Sequence, residues 1–154
     1  MRKLRVFVDT SVFGGCFDEE FDRHSKWFFE EVRSGRFEIV VSQTVLDELK
    51  AAPEQIKVFV SKLMGFVEVV ELDAEIEALR DAYMDAGIIG KSSLDDAEHI
   101  ATASVAGVEL VVSWNFKHIV HFDKIRGYNA INMLKGYSGI DIRSPTEVVS
   151  YEDE

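Results

Sequence analysis

Apolar runs separated by polar and glycine-containing turns divide the chain into a regular series of predicted elements. Short runs that are almost continuously apolar predict strands over residues 4–8, 37–41, 66–70 and 109–112, with an edge strand over 139–142. Between these runs, apolar side chains recur every three or four residues, which predicts helices. Because the strands are continuously apolar, both faces of the sheet are expected to be covered. The pattern therefore predicts a three-layer α/β/α fold with a central, mainly parallel sheet.

Glycines and acidic residues interrupt the first part of the chain. Gly14-Gly15 is expected to break the chain soon after the first strand, and the acidic stretch from Asp18 to Asp22 is expected to be a solvated loop. A helix is predicted over residues 25–34, with Gly35 as its stop. The first regular helix is therefore expected only after this loop.

Capping residues mark the later helices. Ser42 has the chemistry of an N-cap for a helix that runs through Lys50, and Asp73 has it for another. Ser92 or Ser93 is expected to cap the helix that leads into the fourth strand. The N-terminus of that helix should therefore point toward the edge of the sheet where the parallel strands end.

Composition and charge narrow the classes of protein that fit this pattern. The chain has 154 residues, so residues 1–150 are expected to form a single domain, with an acidic tail at 151–154. Lys and Arg number 17 and Asp and Glu 28, a net charge of −11 that argues against a protein that coats DNA. Cys16 is the only cysteine and no apolar stretch is long enough for a membrane span. We expect a cytoplasmic protein that has no membrane contact.

Polar side chains follow the predicted strands at the points where the strands end. Asp9 follows the first strand, Glu48 lies in the helix after the second strand, and Asn115 follows the fourth. Asp95 and Asp96 begin the helix that points toward the same edge. Because the carboxyl ends of parallel strands share one edge of an open sheet, we expect these side chains to lie near one another.

Each of these residues also has a purely structural interpretation. Asp9 could cap the turn that follows it, and Asn115 is a common turn residue. One acid of the Asp95-Asp96 pair is explained by the helix dipole, which favours negative charge in the first turn. A single glutamate such as Glu48 is by default an exposed residue of a helix. The structural and functional interpretations both stay open for each residue alone.

The helical period leaves the choice between the two adjacent aspartates open. It groups Asp96 with Ile100 on one side of the helix, and it groups Asp95 with Glu98 and His99 on another. Position alone therefore does not decide which aspartate faces the predicted site.

A cluster of carboxylates favours metal chemistry. Carboxylates that lie close together repel unless they are protonated or bridged by a cation, and hard oxygen ligands favour Mg²⁺ or Mn²⁺. Such ions activate water and stabilise the leaving oxygen of a phosphodiester. The chain has no Cys/His spacing typical of zinc sites and no GxGxxG or Walker A pattern. A phosphatase with a second aspartate two residues after the first is disfavoured by Ser11, and a phosphoacceptor receiver stays open as a weaker alternative.

The segment from Ser113 to Gly136 is basic in an otherwise acidic chain. Its net charge is +3, from Lys117, Lys124, Arg126 and Lys135 against Asp123. A surface of this kind suits contact with a phosphate backbone.

Four short motifs resemble those of the PIN domain, the metal-dependent ribonuclease fold that includes VapC-type toxins. They are VFVDTSV at 6–12, SQTVLDEL at 42–49, DDAEHIATA at 95–103 and LVVSWNFKHI at 110–119. They follow the order of the family and cover nearly the whole chain. The resemblance implies a PIN-like α/β/α fold.

The resemblance also implies roles for individual residues. Asp9 and Glu48 match the first and second acidic positions of the family. In the third motif the family's aspartate precedes alanine and an apolar helix, which favours Asp96 over Asp95. Asn115 stands where the family often has a fourth aspartate, so this chain departs from the family by one negative charge.

These four matched positions imply a mechanism. They would hold Mg²⁺ or Mn²⁺ and carry the hydrolysis of an RNA phosphodiester by a metal-activated water, with Asn115 assisting. Lys117 and His118 would contact the phosphate backbone of the RNA. Proteins of the VapC type pair with a small antitoxin that blocks the site, and they often form homodimers. The amide at position 115 equally fits an alternative, a catalytically weak or inactive PIN-like module that binds nucleic acid or regulates.

Overall fold

Five strands and eight α-helices alternate along the chain in a computed structural model that describes residues 3–151. The strands are β1 (Leu4–Val8), β2 (Phe37–Ser42), β3 (Val67–Val70), β4 (Leu110–Val112) and β5 (Asp141–Arg143). The helices are α1 (Thr10–Gly15), α2 (Asp22–Arg33), α3 (Gln43–Lys50), α4 (Glu54–Leu63), α5 (Ala74–Asp85), α6 (Leu94–Val105), α7 (Phe122–Lys135) and α8 (Pro145–Val148). Most of the predicted acidic tail, residues 152–154, lies outside the described residues. Across residues 3–151, every helix is too short or too polar to cross a bilayer.

The five strands form one parallel sheet with β1 at its centre. The order is β3-β2-β1-β4-β5, and Val6 of β1 faces Ile39 of β2 on one side and Leu110 of β4 on the other. Strands β2 and β3 are added on one side of β1, and β4 and β5 are then added on the other side. The carboxyl ends of all five strands therefore share one edge, and the reversal of strand order opens a crevice next to β1. The predicted α/β/α fold is confirmed.

The central strands are buried on both faces, as their continuous apolar runs predict. The side chains of residues 6–8, 39–41 and 110–112 are all buried. Helix α6 lies deep in the molecule, because every residue from Ala97 to Ala103 is buried. A buried helix of this kind holds its side chains in fixed positions, which matters for the residues that it presents to the sheet edge.

A short helix that the sequence did not predict, α1, includes both Gly14 and Gly15 and ends at Gly15, so the regular structure stops at the predicted break. A Cβ atom on Gly15 would lie 2.5 Å from Ser25 Oγ and 2.8 Å from Trp114 Nε1. Glycine at this position lets α1 approach α2 and the loop after β4 closely. The requirement is one of tertiary packing, which outweighs the weak helix propensity of glycine.

Helix ends agree with the capping residues in some places and differ in others. The side chain of Ser42 accepts a hydrogen bond from Val45 N at 3.1 Å, and Asp73 accepts one from Ile76 N at 2.8 Å, so both predicted N-caps are confirmed. Ser93 occupies the N-cap position of α6 but makes no capping hydrogen bond. Helix α2 begins at Asp22, three residues before the predicted start, so the predicted acidic loop is shorter than expected.

Candidate functional site

Asp9 ends the central strand and is buried at the edge of the sheet. Its Oδ2 accepts hydrogen bonds from Ser11 Oγ at 2.7 Å and from Ser113 Oγ at 2.8 Å. Although Asp9 occupies the N-cap position of α1, its side chain makes no capping hydrogen bond. The Asp9 carboxylate therefore binds two serine hydroxyls and does not cap the helix.

Two serines tie the ends of β1 and β4 together around this carboxylate. Ser11 Oγ accepts a hydrogen bond from Trp114 N at 3.0 Å, and Ser113 Oγ accepts one from Asn115 N at 2.9 Å. Each serine thus joins the backbone of the loop after β4 to the Asp9 side chain. The sequence predicted no role for either serine in the site, although both follow strands that end at the site.

His99 lies between two of the predicted site residues. Its Nε2 is 3.2 Å from Glu48 Oε1 and 3.5 Å from Asp9 Oδ1, and the residue is only 1% exposed. His99 Nδ1 and Glu48 Oε1 have no hydrogen-bond partner among the described residues. Sequence patterns predict no role for His99, yet it follows Asp96 by three residues, a spacing that places two side chains on the same helical face.

The charges around His99 control its protonation. Burial lowers the pKa of His99, but the contact with Glu48 and the negative charges of Asp9, Glu48 and Asp96 outweigh burial and raise the pKa above its usual value. The neighbouring carboxylates therefore favour the protonated form of the imidazole.

Asp96 faces the same edge from the first turn of α6. Its Oδ1 accepts a hydrogen bond from Asn115 Nδ2 at 3.3 Å. Burial and the charge of Asp9 raise the pKa of Asp96, more than the nearby His99 and His118 lower it. Asp95 is exposed. Of the two adjacent aspartates, Asp96 shares with His99, three residues later, the face of α6 that points to the sheet edge.

Asn115 presents its amide nitrogen rather than its oxygen to Asp96. Its side-chain oxygen accepts a hydrogen bond from His118 N at 2.9 Å, and its backbone oxygen accepts hydrogen bonds from the backbone nitrogens of Ile119 and Val120. Asn115 thus shapes the loop after β4 and donates to Asp96. In this arrangement the side-chain oxygen, which could also coordinate a cation, already accepts one hydrogen bond from the backbone.

The two residues predicted to contact nucleic acid lie in the same loop. Lys117 is exposed and His118 is half-buried. The backbone oxygen of His118 accepts a hydrogen bond from Tyr128 Oη at 3.0 Å, which fixes the end of the loop on α7. Phe116, beside Lys117, is 50% exposed, so the loop presents a cation and an aromatic ring to solvent.

The donor set at this edge fits a hard divalent cation in its chemistry. Asp9, Glu48 and Asp96 supply carboxylate oxygens, the ligands that Mg²⁺ and Mn²⁺ prefer. Burial and the charge of Asp9 both raise the pKa of Asp96, and a bound cation would offset both effects. Within residues 3–151 no three His, Cys, Asp or Glu side chains stand in a metal-holding arrangement, and His99 lies between Asp9 and Glu48. The three carboxylates therefore approach one another without the geometry of a bound ion.

Comparison with known proteins identifies the fold but not the family. No protein-family model and no curated protein matches the chain in sequence. The chain is similar to one in the crystal structure of VapBC2 from Rickettsia felis bound to a DNA fragment from its promoter, with a TM-score of 0.57 and 16% identity. The likeness covers 92% of this chain and 98% of that one. The similarity and the parallel five-stranded sheet show that this protein has a PIN-like fold.

Proposed function

We propose that this protein is a metal-dependent endoribonuclease that hydrolyses RNA phosphodiester bonds with Mg²⁺ or Mn²⁺ as its cofactor. The observation that carries the proposal is the meeting of Asp9, Glu48 and Asp96, from three separate elements, at the edge where β1 and β4 end. Burial and the charge of Asp9 raise the pKa of Asp96 despite the nearby His99, so the ionised carboxylate is disfavoured there without a further cation. The PIN-like fold supports the same function.

The residues of the chain have distinct tasks in this proposal. Asp9, fixed by its two serine hydroxyls, is the anchoring ligand, and Glu48 and Asp96 complete the carboxylate set. Asn115 orients Asp96 through its amide nitrogen. When bound, the cation supplies an activated water and stabilises the leaving oxygen of the phosphodiester.

The RNA strand approaches along the loop after β4. Lys117 is exposed there and contacts the phosphate backbone, and His118 lies beside it in the same loop. The half-exposed ring of Phe116 suits stacking on an unpaired base. The basic charge of this segment in a chain of net charge −11 supports the assignment.

The proposed partners follow from the same similarity. The similar chain belongs to a structure of VapBC2 bound to promoter DNA. We infer that this protein acts in the cytoplasm as the toxin of a type II toxin–antitoxin pair, as a homodimer held inactive by a small antitoxin protein. Co-expression of the adjacent gene, followed by co-purification and measurement of the mass of the complex, tests both partners.

An RNA cleavage assay tests the proposal directly. Purified protein is incubated with single-stranded and structured RNA in Mn²⁺, Mg²⁺ or EDTA, beside the variants Asp9→Asn and Asp96→Asn. Asp95→Asn is a matched control, because it removes the same charge from an exposed neighbour. We expect metal-dependent cleavage that both site variants lose and the control retains. Cleavage that persists in the site variants would reject these residues as the site.

One observation favours a second candidate, a catalytically weak or inactive PIN-like module that binds nucleic acid or regulates. Asn115 replaces a carboxylate, and its oxygen is held by His118 N. Binding of RNA without cleavage in every metal supports this candidate. Asn115→Asp then distinguishes a site that lacks one charge, which gains cleavage, from a site that is inactive for another reason.

A further inference from the structure

Glu48 and Asp9 lie on different elements and differ in how firmly each is held. Asp9 is buried and receives two serine hydrogen bonds. The side chain of Glu48 is 37% exposed at the surface of α3, and among the described residues only His99 lies within ion-pair distance of it. A long side chain at such a position turns toward solvent unless a partner holds it. The orientation of Glu48 therefore depends on His99.

We propose that His99 is a positioning residue that holds Glu48 toward Asp9, so that both carboxylates face one site. Its Nε2 contacts both carboxylates, at 3.2 Å from Glu48 and 3.5 Å from Asp9. The consequence of this role for metal binding rests on the proposed function, whereas the role itself rests on the contacts alone.

His99 has the rigidity that a positioning residue needs. It is almost completely buried, and its ring packs against Phe7 with a centroid distance of 5.7 Å. It lies in the stretch of α6 from Ala97 to Ala103 whose residues are all buried. A side chain fixed by packing transmits that order to the groups it contacts.

His99 Nε2 lies 3.2 Å from Glu48 Oε1, close enough for attraction although the two atoms are not aligned as a hydrogen bond. The contact needs an N–H group that faces the carboxylate rather than an imidazole ring as such. Ionised carboxylate oxygens only accept hydrogen bonds, so His99 Nε2 carries a hydrogen whether the ring is neutral or charged. The side-chain amide of glutamine places an N–H group at a similar distance from the backbone. Leucine fills similar space without a donor. His99→Gln and His99→Leu therefore separate positioning from packing.

Crystal structures of the two metal-free variants test the proposal. We expect Glu48 to turn to solvent in His99→Leu and to stay beside Asp9 in His99→Gln. Asp9 should keep its serine hydrogen bonds in both. Glu48 unmoved in His99→Leu, or displaced equally in both variants, would overturn the positioning role.

Titration of each folded variant with Mn²⁺ alone gives a second readout. Removing an outer partner of a metal ligand typically weakens affinity by about 10- to 100-fold, and we expect this loss in His99→Leu but not in His99→Gln. Tighter Mn²⁺ binding by His99→Leu would overturn the proposal, because His99 would then compete with the ion. If the wild-type protein binds no Mn²⁺, the proposed function fails, and the crystal structures still decide the role of His99.

Discussion

Two carboxylates, Glu31 on α2 and Asp96 on α6, are both withdrawn from solvent but have opposite electrostatic surroundings. Glu31 Oε1 accepts hydrogen bonds from both the backbone nitrogen and the hydroxyl of Ser150, each at 2.7 Å, and Oε2 pairs with Arg36. Burial raises the pKa of Glu31, but these donors outweigh it and the pKa lies below its usual value. Asp96 has one amide donor at 3.3 Å, and its pKa is raised.

Glu31 has hydrogen-bond and ion-pair partners on both oxygens, whereas within residues 3–151 Asp96 has only one amide donor. Glu31 joins α2 to the segment after α8, and all of its acceptor needs are met within the chain. The carboxylates at the sheet edge instead share one imidazole and a few neutral donors. A buried group left underbalanced costs stability, which is why such groups are typical of sites that receive a ligand.

Cleavage is expected to show the largest contrast between the two carboxylates. Asp96→Asn should lower RNA cleavage by about 100-fold or more, because it removes one of the carboxylates that hold the cation. Glu31→Gln should leave cleavage per folded molecule unchanged. Rates normalised to the folded fraction decide this comparison, and an equal loss in both variants would erase the distinction between them.

Divalent ions are expected to stabilise the protein only through the sheet edge. At a concentration of about 100 times its Kd, an ion that binds only the folded state adds about 2.7 kcal/mol to the free energy of unfolding. We expect this increase in the wild type and in Glu31→Gln, reversed by EDTA, and we expect it to be absent in Asp96→Asn. Urea unfolding with and without Mn²⁺ measures it, and equal stabilisation of all three proteins would place the ion elsewhere.

Glu31→Gln is expected to destabilise the fold itself. The amide cannot pair with Arg36, and a polar group left without its partner costs about 1–3 kcal/mol. The free energy of unfolding in urea at neutral pH measures the loss. An unchanged value would show that the segment after α8 contributes little to stability.

Acid should reduce this effect of Glu31. Because the folded-state pKa lies below the ordinary value of 4.5, the carboxylate stabilises the fold above pH 4.5, and this contribution is lost as the pH falls through the folded pKa. The difference in unfolding free energy between wild type and Glu31→Gln should therefore be constant from neutral pH to about 4.5 and shrink below it. A difference that widens on acidification would contradict the sign.

The smallest effect expected is opposite in sign. Without metal, Asp96→Asn should stabilise the protein by about 0.5–1 kcal/mol, since it removes repulsion between partly exposed charges. The exposed Asp95→Asn should change stability by less than about 0.5 kcal/mol. Urea unfolding in EDTA compares the two variants. If Asp96→Asn destabilises the protein more than the control does, the negative charges at the sheet edge are balanced without an ion.

The parts of the fold that local patterns determine could be predicted, and the parts that long-range contacts determine could not. Continuous apolar runs predicted the strands, and the rule for parallel sheets predicted that Asp9 and Asn115 would meet near one edge. The need for glycine at position 15 could not be predicted, because it comes from a close approach to Trp114, far along the chain. Ser113 was missed because it donates to a carboxylate more than a hundred residues earlier. No local pattern reports such partners.

The role of His99 depends partly on a local pattern and partly on long-range contacts. Its spacing of three from Asp96 and of four from Asp95 is local, and either spacing can place two side chains on one helical face. The sequence does not show that every residue from Ala97 to Ala103 is buried. This burial holds His99 in a fixed position beside Glu48.

The position of β1 between β2 and β4 has a consequence for synthesis. The ribosome makes Asp9 and Glu48 before it makes Asp96 and His99. Strand β4, which pairs with β1, is made after all four. A nascent chain that stops before α6 has two of the carboxylates but neither the imidazole between them nor Ser113. The candidate site therefore forms only after α6 and β4 have been made, so shorter nascent chains lack part of its set of side chains.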